Sequence, residues 1–257
     1  MMAKVLIVDD NEYTRVGVRS ILDHSPHIPY ECEGLDDLER AIEHAGGTID
    51  VALIDLLLEG HRTGLDVMEK LDARRPRPKL VVLTSGETMS RPQLLCRAQL
   101  RYGLDGALPK RRASKDLPAS IDKVCSGERA FHPDLVPYLA REISIDPLLA
   151  EKSHASLWVA LALGFGGGHR DLAKVTQLSK KYVGTTITEM RRKLSDLGFV
   201  GEEELPQDAR SGVLAALARF AASYREYILY WASTNQDRFW LAPIGQNRLD
   251  QYEHGEI

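Results

Sequence analysis

The 257-residue chain has only three cysteines, Cys32, Cys96 and Cys125, odd in number and widely separated. With no CxxC pair and no His pairing they support neither a disulfide framework nor a zinc site, and a reducing cytoplasm fits them. Long hydrophobic runs are also missing. The longest, Leu157 to Gly164, falls far short of the roughly 20 residues of a bilayer span. Met1-Met2-Ala3-Lys4 leads straight into a strand-like segment with no signal-peptide pattern. A cytoplasmic protein with no membrane insertion is the expectation. There is no internal repeat and no low-complexity tract, which excludes solenoids and wholesale disorder. The glycine-rich break Gly164 to Gly168 has no following Lys-Ser/Thr, which argues against a phosphate-cradling nucleotide loop, and linker glycine is the better account.

What is present is an ordinary globular composition, 44% hydrophobic and 27% charged, in a chain longer than the usual domain of roughly 100 to 150 residues. Two domains are expected. The net charge of -4 hides an asymmetry, because residues 152–200 carry 8 Lys+Arg against 3 Asp+Glu and both flanking segments are acidic. A local cationic segment points to a local anionic partner. Its alternative is a solvated basic helix face.

Three apolar runs without polar alternation, Val5 to Val8, Val51 to Ile54 and Leu80 to Leu83, read as strands buried on both faces of a parallel sheet. Helically spaced segments lie between them, among them Tyr13, Val16, Val18, Ile21 and Leu22. Weaker strands at Ile28 to Glu33 and Asp105 to Leu108 complete five βα units within about 126 residues, a doubly wound α/β domain. Residues 127–150 read as a linker with one short helix at Leu135 to Leu139. An all-α segment of short helices follows, then one long amphipathic helix from Val213 to Trp231 and a loose tail from about Trp240.

Asp9 and Asp10 follow the first strand and Asp55 the third, at the carboxyl edge where open parallel sheets place their functional crevice. Like charges this close raise one another's pKa unless a cation neutralises them, and three carboxylates suit a hard ion such as Mg²⁺. Thr84 and Lys110 stand past the fourth and fifth strands. A carboxylate nucleophile, a metal, a hydroxyl and an ammonium together suit a phosphoryl group. Taken singly, each has a plainer reading, and Asp9 with Glu12 also fits a capping box.

On the motifs VLIVDD (Val5 to Asp10), VALIDLLLEG (Val51 to Gly60), VVLTSG (Val81 to Gly86) and YGLDGALPK (Tyr102 to Lys110), residues 1–126 resemble a response-regulator receiver domain of flavodoxin-like fold. The resemblance implies Asp55 as phosphoacceptor, Asp9 and Asp10 as the acidic pair holding Mg²⁺ with Asp55, and Thr84 and Lys110 as the residues that bind the phosphoryl group. It also implies a sensor histidine kinase as donor. Two positions depart from the pattern: Ala107 replaces the usual aromatic switch residue, and Glu59 stands where proline is common in a loop one residue longer before Gly64.

His169 to Leu194 reads as helix, tight turn, helix, with Ser179 as N-cap of the second helix. The outer side of that helix carries Lys180, Lys181, Gly184, Thr185, Thr188, Arg191 and Arg192, cations mixed with short polar groups as in a major-groove helix. Leu172-Ala173, Leu178-Ser179, Val183 and Lys193-Leu194 resemble the LuxR-type helix-turn-helix, although Tyr182 replaces its usual Thr. The expected organisation is therefore a receiver at 1–126, a linker at 127–150, a helix-turn-helix domain at 151–200 and a C-terminal amphipathic helix and tail at 201–257. The long helix invites dimerisation or partner contact, since its apolar stripe must be covered by something.

The leading expectation is a two-component response regulator and transcription factor, phosphorylated on Asp55 and binding double-stranded DNA as a homodimer through Lys180, Lys181, Thr185, Thr188, Arg191 and Arg192. It is not expected to be a turnover enzyme. An alternative keeps the receiver and gives the C-terminal half a protein partner; another makes the carboxylates a phosphate-ester hydrolase.

Overall fold

The computed structural model describes residues 2–58, 63–85, 90–140, 144–199 and 210–254. The chain divides into two compact units, the first ending at Ser144 and the second beginning at Ile145. Glu59, Gly60, Gly86 and Pro206 lie outside the described residues.

The first unit is a parallel sheet in the order β2-β1-β3-β4-β5-β6. Its strands are β1 (Lys4–Val8), β2 (Ile28–Cys32), β3 (Val51–Ile54), β4 (Lys79–Thr84), β5 (Gly106–Pro109) and β6 (Ala130–Phe131). Helices α1 (Glu12–Leu22), α2 (Leu38–His44), α3 (Gly64–Asp72), α4 (Ser90–Tyr102) and α5 (Ala113–Cys125) connect them. Every residue of β3 and β5 is buried, as is β1 after Lys4, which is why those strands read as unbroken apolar runs. β2 is an edge strand with exposed and half-buried residues, a position that tolerates Pro29.

The sheet has six strands rather than the expected five. The sixth comes from the segment read as linker: Ala130 N–H donates to Asp105 O at 2.9 Å and His132 N–H to Ala107 O at 2.9 Å. A two-residue strand has no periodicity to detect. Its partner explains how it fits, because a Cβ at Gly106 would stand 2.7 Å from Ala130 O. The short helix of that segment is a 3-10 helix, Pro133–Leu139. On α1, Val18 and Leu22 are buried as expected, but Tyr13 and Val16 are 87% and 54% exposed. The inward face runs through Arg15, Val18 and Leu22, a spacing of three to four that excludes both.

The second unit is helical: α6 (Lys152–Ala162), α7 (His169–Thr176), α8 (Lys180–Asp196), α9 (Arg210–Ser223), α10 (Arg225–Ser233) and α11 (Pro243–Glu253). Ser153 to Ala162 are all buried, so α6 is the central helix, packed against α7, α8, α9 and α10. An interior helix of this kind is apolar all round. Trp158 meets Phe220 at 5.2 Å between ring centroids, and Phe220 meets Phe199 at 6.0 Å and Tyr224 at 4.5 Å.

The single helix expected from Val213 to Trp231 is two, separated at Tyr224 (φ -109°, ψ 20°). Their apolar residues, Leu217, Ala221, Tyr227, Ile228 and Trp231, are buried within the unit. The stripe is covered by the chain's own α6. The expected loose tail is α11, opened by Pro243 at its N-terminus and held to α7 by Ala242 N–H on Val175 O at 2.6 Å. No helix among the described residues is long and apolar enough to cross a membrane.

Candidate functional site

The register pairs Val8 with Ile54 and Thr84 with Pro109. Asp9, Asp55, Thr84 and Lys110 therefore emerge together at the carboxyl edge of the central strands. Lys110 Nζ bridges two carboxylates, 2.6 Å from Asp55 Oδ2 and 2.7 Å from Asp9 Oδ2. The remaining oxygens are also held: Asp55 Oδ1 accepts from Leu56 N–H at 2.7 Å, and Asp9 Oδ1 from Asn11 N–H at 3.0 Å. Asp10 completes the cluster, with one carboxylate oxygen from each of Asp9, Asp10 and Asp55 within 4.8 Å of the others.

Asp9 and Asp55 are buried, Asp10 half-buried. Burial is the largest influence on Asp9 and lifts its pKa above the ordinary carboxylate value; Asp55 pushes the same way and Lys110 opposes. Burial alone would lower the Lys110 ammonium, but Asp55 and Asp9 outweigh it and hold its pKa above that of an ordinary lysine. The set is an all-oxygen anionic cradle with one fixed cation. Thr84 is 2% exposed, and its hydroxyl has no hydrogen-bond partner among the described residues. A buried hydroxyl left this way costs free energy until an acceptor arrives.

In the second unit Ser179 Oγ accepts from Tyr182 N–H at 3.2 Å, the N-cap expected for α8. Gln177, in the left-handed region at φ 60°, makes the turn from α7. Val183, Ile187, Met190 and Leu194 face the core, while Lys180, Lys181, Tyr182, Thr185, Thr188 and Arg192 are exposed. Arg191, expected on the outer side, is half-buried and partnered. Arg192 is engaged by Asp196 at 3.1 Å.

The response regulator receiver domain family matches residues 5–122 of the chain. Across both units, 195 residues are 26% identical to the response regulator protein VraR of Staphylococcus aureus (strain Mu3), covering 76% of this chain and 91% of that protein. This chain carries a response regulator receiver domain. The chain's fold is similar to that of RcsB of Salmonella typhimurium, with a TM-score of 0.54 at 20% identity over 85% of this chain and 98% of that one. It is also similar to RcsB in an RcsB–DNA complex, with a TM-score of 0.53 at 20% identity over 87% and 99%.

Two supporting residues of the regulator's pocket escaped sequence reasoning. Arg15 Nη1 donates to the carbonyls of Asp9 at 2.7 Å and Asp10 at 3.0 Å, fixing the acidic turn from the next helix. Gly64, noted only for loop length, lies against the Asp55 backbone, where an added Cβ would stand 2.1 Å from Asp55 O and 2.8 Å from Ile54 Cγ2. The legible signal was Thr63-Gly64-Leu65-Asp66: Thr63 and Asp66 form a capping box that opens α3 against β3. Gly64→Ala is therefore expected to cost about 1–3 kcal/mol by overpacking and to displace Asp55. Urea unfolding of the variant checks this, and an unchanged midpoint would refute it.

Proposed function

We propose that this regulator accepts a phosphoryl group on Asp55 from a sensor histidine kinase and thereby controls binding of double-stranded DNA by α8. The observation that carries the proposal is Lys110 clamped between Asp55 and Asp9, with a buried Thr84 hydroxyl at the same strand edge that has no hydrogen-bond partner among the described residues.

A carboxylate oxygen of Asp55 attacks phosphorus, a P–O bond forms, and the P–N bond of the donor phosphohistidine breaks with the imidazole as leaving group. Lys110 offsets negative charge on the transferred group, and Thr84 donates its hydroxyl to a phosphoryl oxygen. Asp9, Asp10 and Asp55 are the residues that would hold Mg²⁺; the three clustered oxygen donors fit a hard cation. When bound, that ion supplies positive charge to the phosphoryl oxygens. Because Lys110 would then share Asp55 with a dianionic group, its pairing with Asp9 is the contact poised to change. Ala107 is buried in β5 and lacks a ring to relay that change, so we assign the relay to another element of the receiver.

In the output unit Lys180, Lys181, Thr185, Thr188 and Arg192 form the DNA-facing side of α8. Lys180 and Lys181 contact phosphate, and the threonines meet base edges. The RcsB structures with DNA support this reading, one of them holding two RcsB dimers on two parallel DNAs, and a homodimer would place two copies of α8 on two half-sites.

The test is capture of genomic duplex fragments by the full chain with Mg²⁺, with and without beryllofluoride. Enrichment of specific sites only with the mimic is expected. Joint replacement of Lys180 and Lys181 by Ala is expected to reduce the slope of log affinity against log salt by about 2. No enrichment in either state would overturn the DNA reading, and equal enrichment would overturn the switch.

A further inference from the structure

The output unit holds a second cluster of ligand-type side chains. Glu151 precedes α6 and His154 lies in its first turn, an i, i+3 pair on one side of the helix. Glu189 reaches the same point from the middle of α8. His154 is 1% exposed, and its Nδ1 is sealed from solvent with no hydrogen-bond partner among the described residues. The polar reach of this ring is thus through Nε2, which lies 3.4 Å from Glu189 Oε2 and 3.7 Å from Glu151 Oε2.

Those separations are long for hydrogen bonds, which for N–H to O centre on about 2.9–3.0 Å. Bonds of about 2.0–2.2 Å at the tetrahedral angle set ligand atoms about 3.3–3.6 Å apart; the 3.4 Å separation falls in that range and the 3.7 Å one just above it. One ligand atom from each of the three residues lies within 4.8 Å of the others. The donor types select the ion's class: an imidazole nitrogen with two carboxylates suits a zinc-type ion, whereas Ca²⁺ and Mg²⁺ prefer oxygen alone.

We propose that Glu151, His154 and Glu189 form a binding site for a divalent transition-metal ion of the zinc class, which ties the first turn of α6 to the middle of α8. Both glutamates are about half exposed, with side-chain accessibilities of 56% and 49%, so solvent completes the coordination. Lys193 is the built-in competitor, since its ammonium holds Glu151 Oε1. A bound dication must displace it or share that carboxylate. The site is independent of how the output unit is used, and its effect on any partner of α8 is to stiffen that helix against its scaffold.

The test titrates Zn²⁺ into the full chain by calorimetry in saturating Mg²⁺, and repeats the titration with Co²⁺ followed by visible absorption. One equivalent of Zn²⁺, intense tetrahedral Co²⁺ bands and a raised melting temperature of the output unit are expected. Glu189→Gln, at an exposed position, is expected to weaken binding at least about tenfold with native circular dichroism. Lys193→Met is expected to tighten it by removing the competing ammonium. Absence of stoichiometric binding, or binding unchanged in natively folded Glu189→Gln and Glu151→Gln variants, would overturn the proposal.

Discussion

Asp55→Asn is expected to abolish phosphoryl incorporation from a phosphohistidine or small-molecule donor, with the fold retained. Asparagine is nearly isosteric and its amide oxygen still accepts the Leu56 N–H that Asp55 Oδ1 takes at 2.7 Å. What it loses is nucleophilic charge, because a neutral amide does not attack phosphorus at a useful rate. Removing one carboxylate also relieves the crowding with Asp9, and Lys110 keeps its ion pair with Asp9 at 2.7 Å, so stability is expected to hold or rise slightly. Lys110→Ala is the informative contrast. It leaves Asp9 and Asp55 facing each other without their shared cation and removes charge compensation at the transferred group. Phosphoprotein gels with both variants make the check. Incorporation surviving in a natively folded Asp55→Asn protein would move the phosphoacceptor elsewhere and end the proposed switch.

The largest stability effect is expected at Trp158 in α6. The ring is 1% exposed and packs against Phe220 of α9. Trp158→Ala empties the centre of the output unit, a change of the class that costs about 3–5 kcal/mol, a large share of the roughly 5–15 kcal/mol that holds a domain together. Trp158→Phe is expected to cost far less. It keeps an aromatic face for Phe220 and removes an indole N–H that is buried without a hydrogen-bond partner among the described residues, a group whose burial is itself unfavourable. Calorimetry of the full chain separates these outcomes: the transition of the helical unit falls steeply for Ala and little for Phe. Equal effects of the two substitutions would show that the cavity is not what matters. Truncation before α9 is expected to resemble Trp158→Ala, since it removes Phe220 and the residues that cover α6. A truncated chain melting like the full protein would contradict that packing.

Burial pushes the Cys32 thiol up to about 12 and raises Cys125 as well, so neither is a ready nucleophile near neutral pH.

Much of the molecule was determined by local sequence. Unbroken apolar strands specified a parallel sheet because both faces are covered, and strand ends carrying Asp9, Asp10, Asp55, Thr84 and Lys110 specified an anionic pocket because parallel strands share one carboxyl edge. Ser179 capped α8 by a bond only three residues long. What the tertiary structure decided depended on contacts distant in the chain. β6 has two residues and exists because Gly106 leaves room for it. The helix expected to run through Tyr224 divides there and turns its apolar face onto α6, because helical periodicity continues across a break that only packing imposes. The meeting of Glu151, His154 and Glu189 has no sequence signature: two of the three share a helical turn, and the third arrives only when α8 docks on α6.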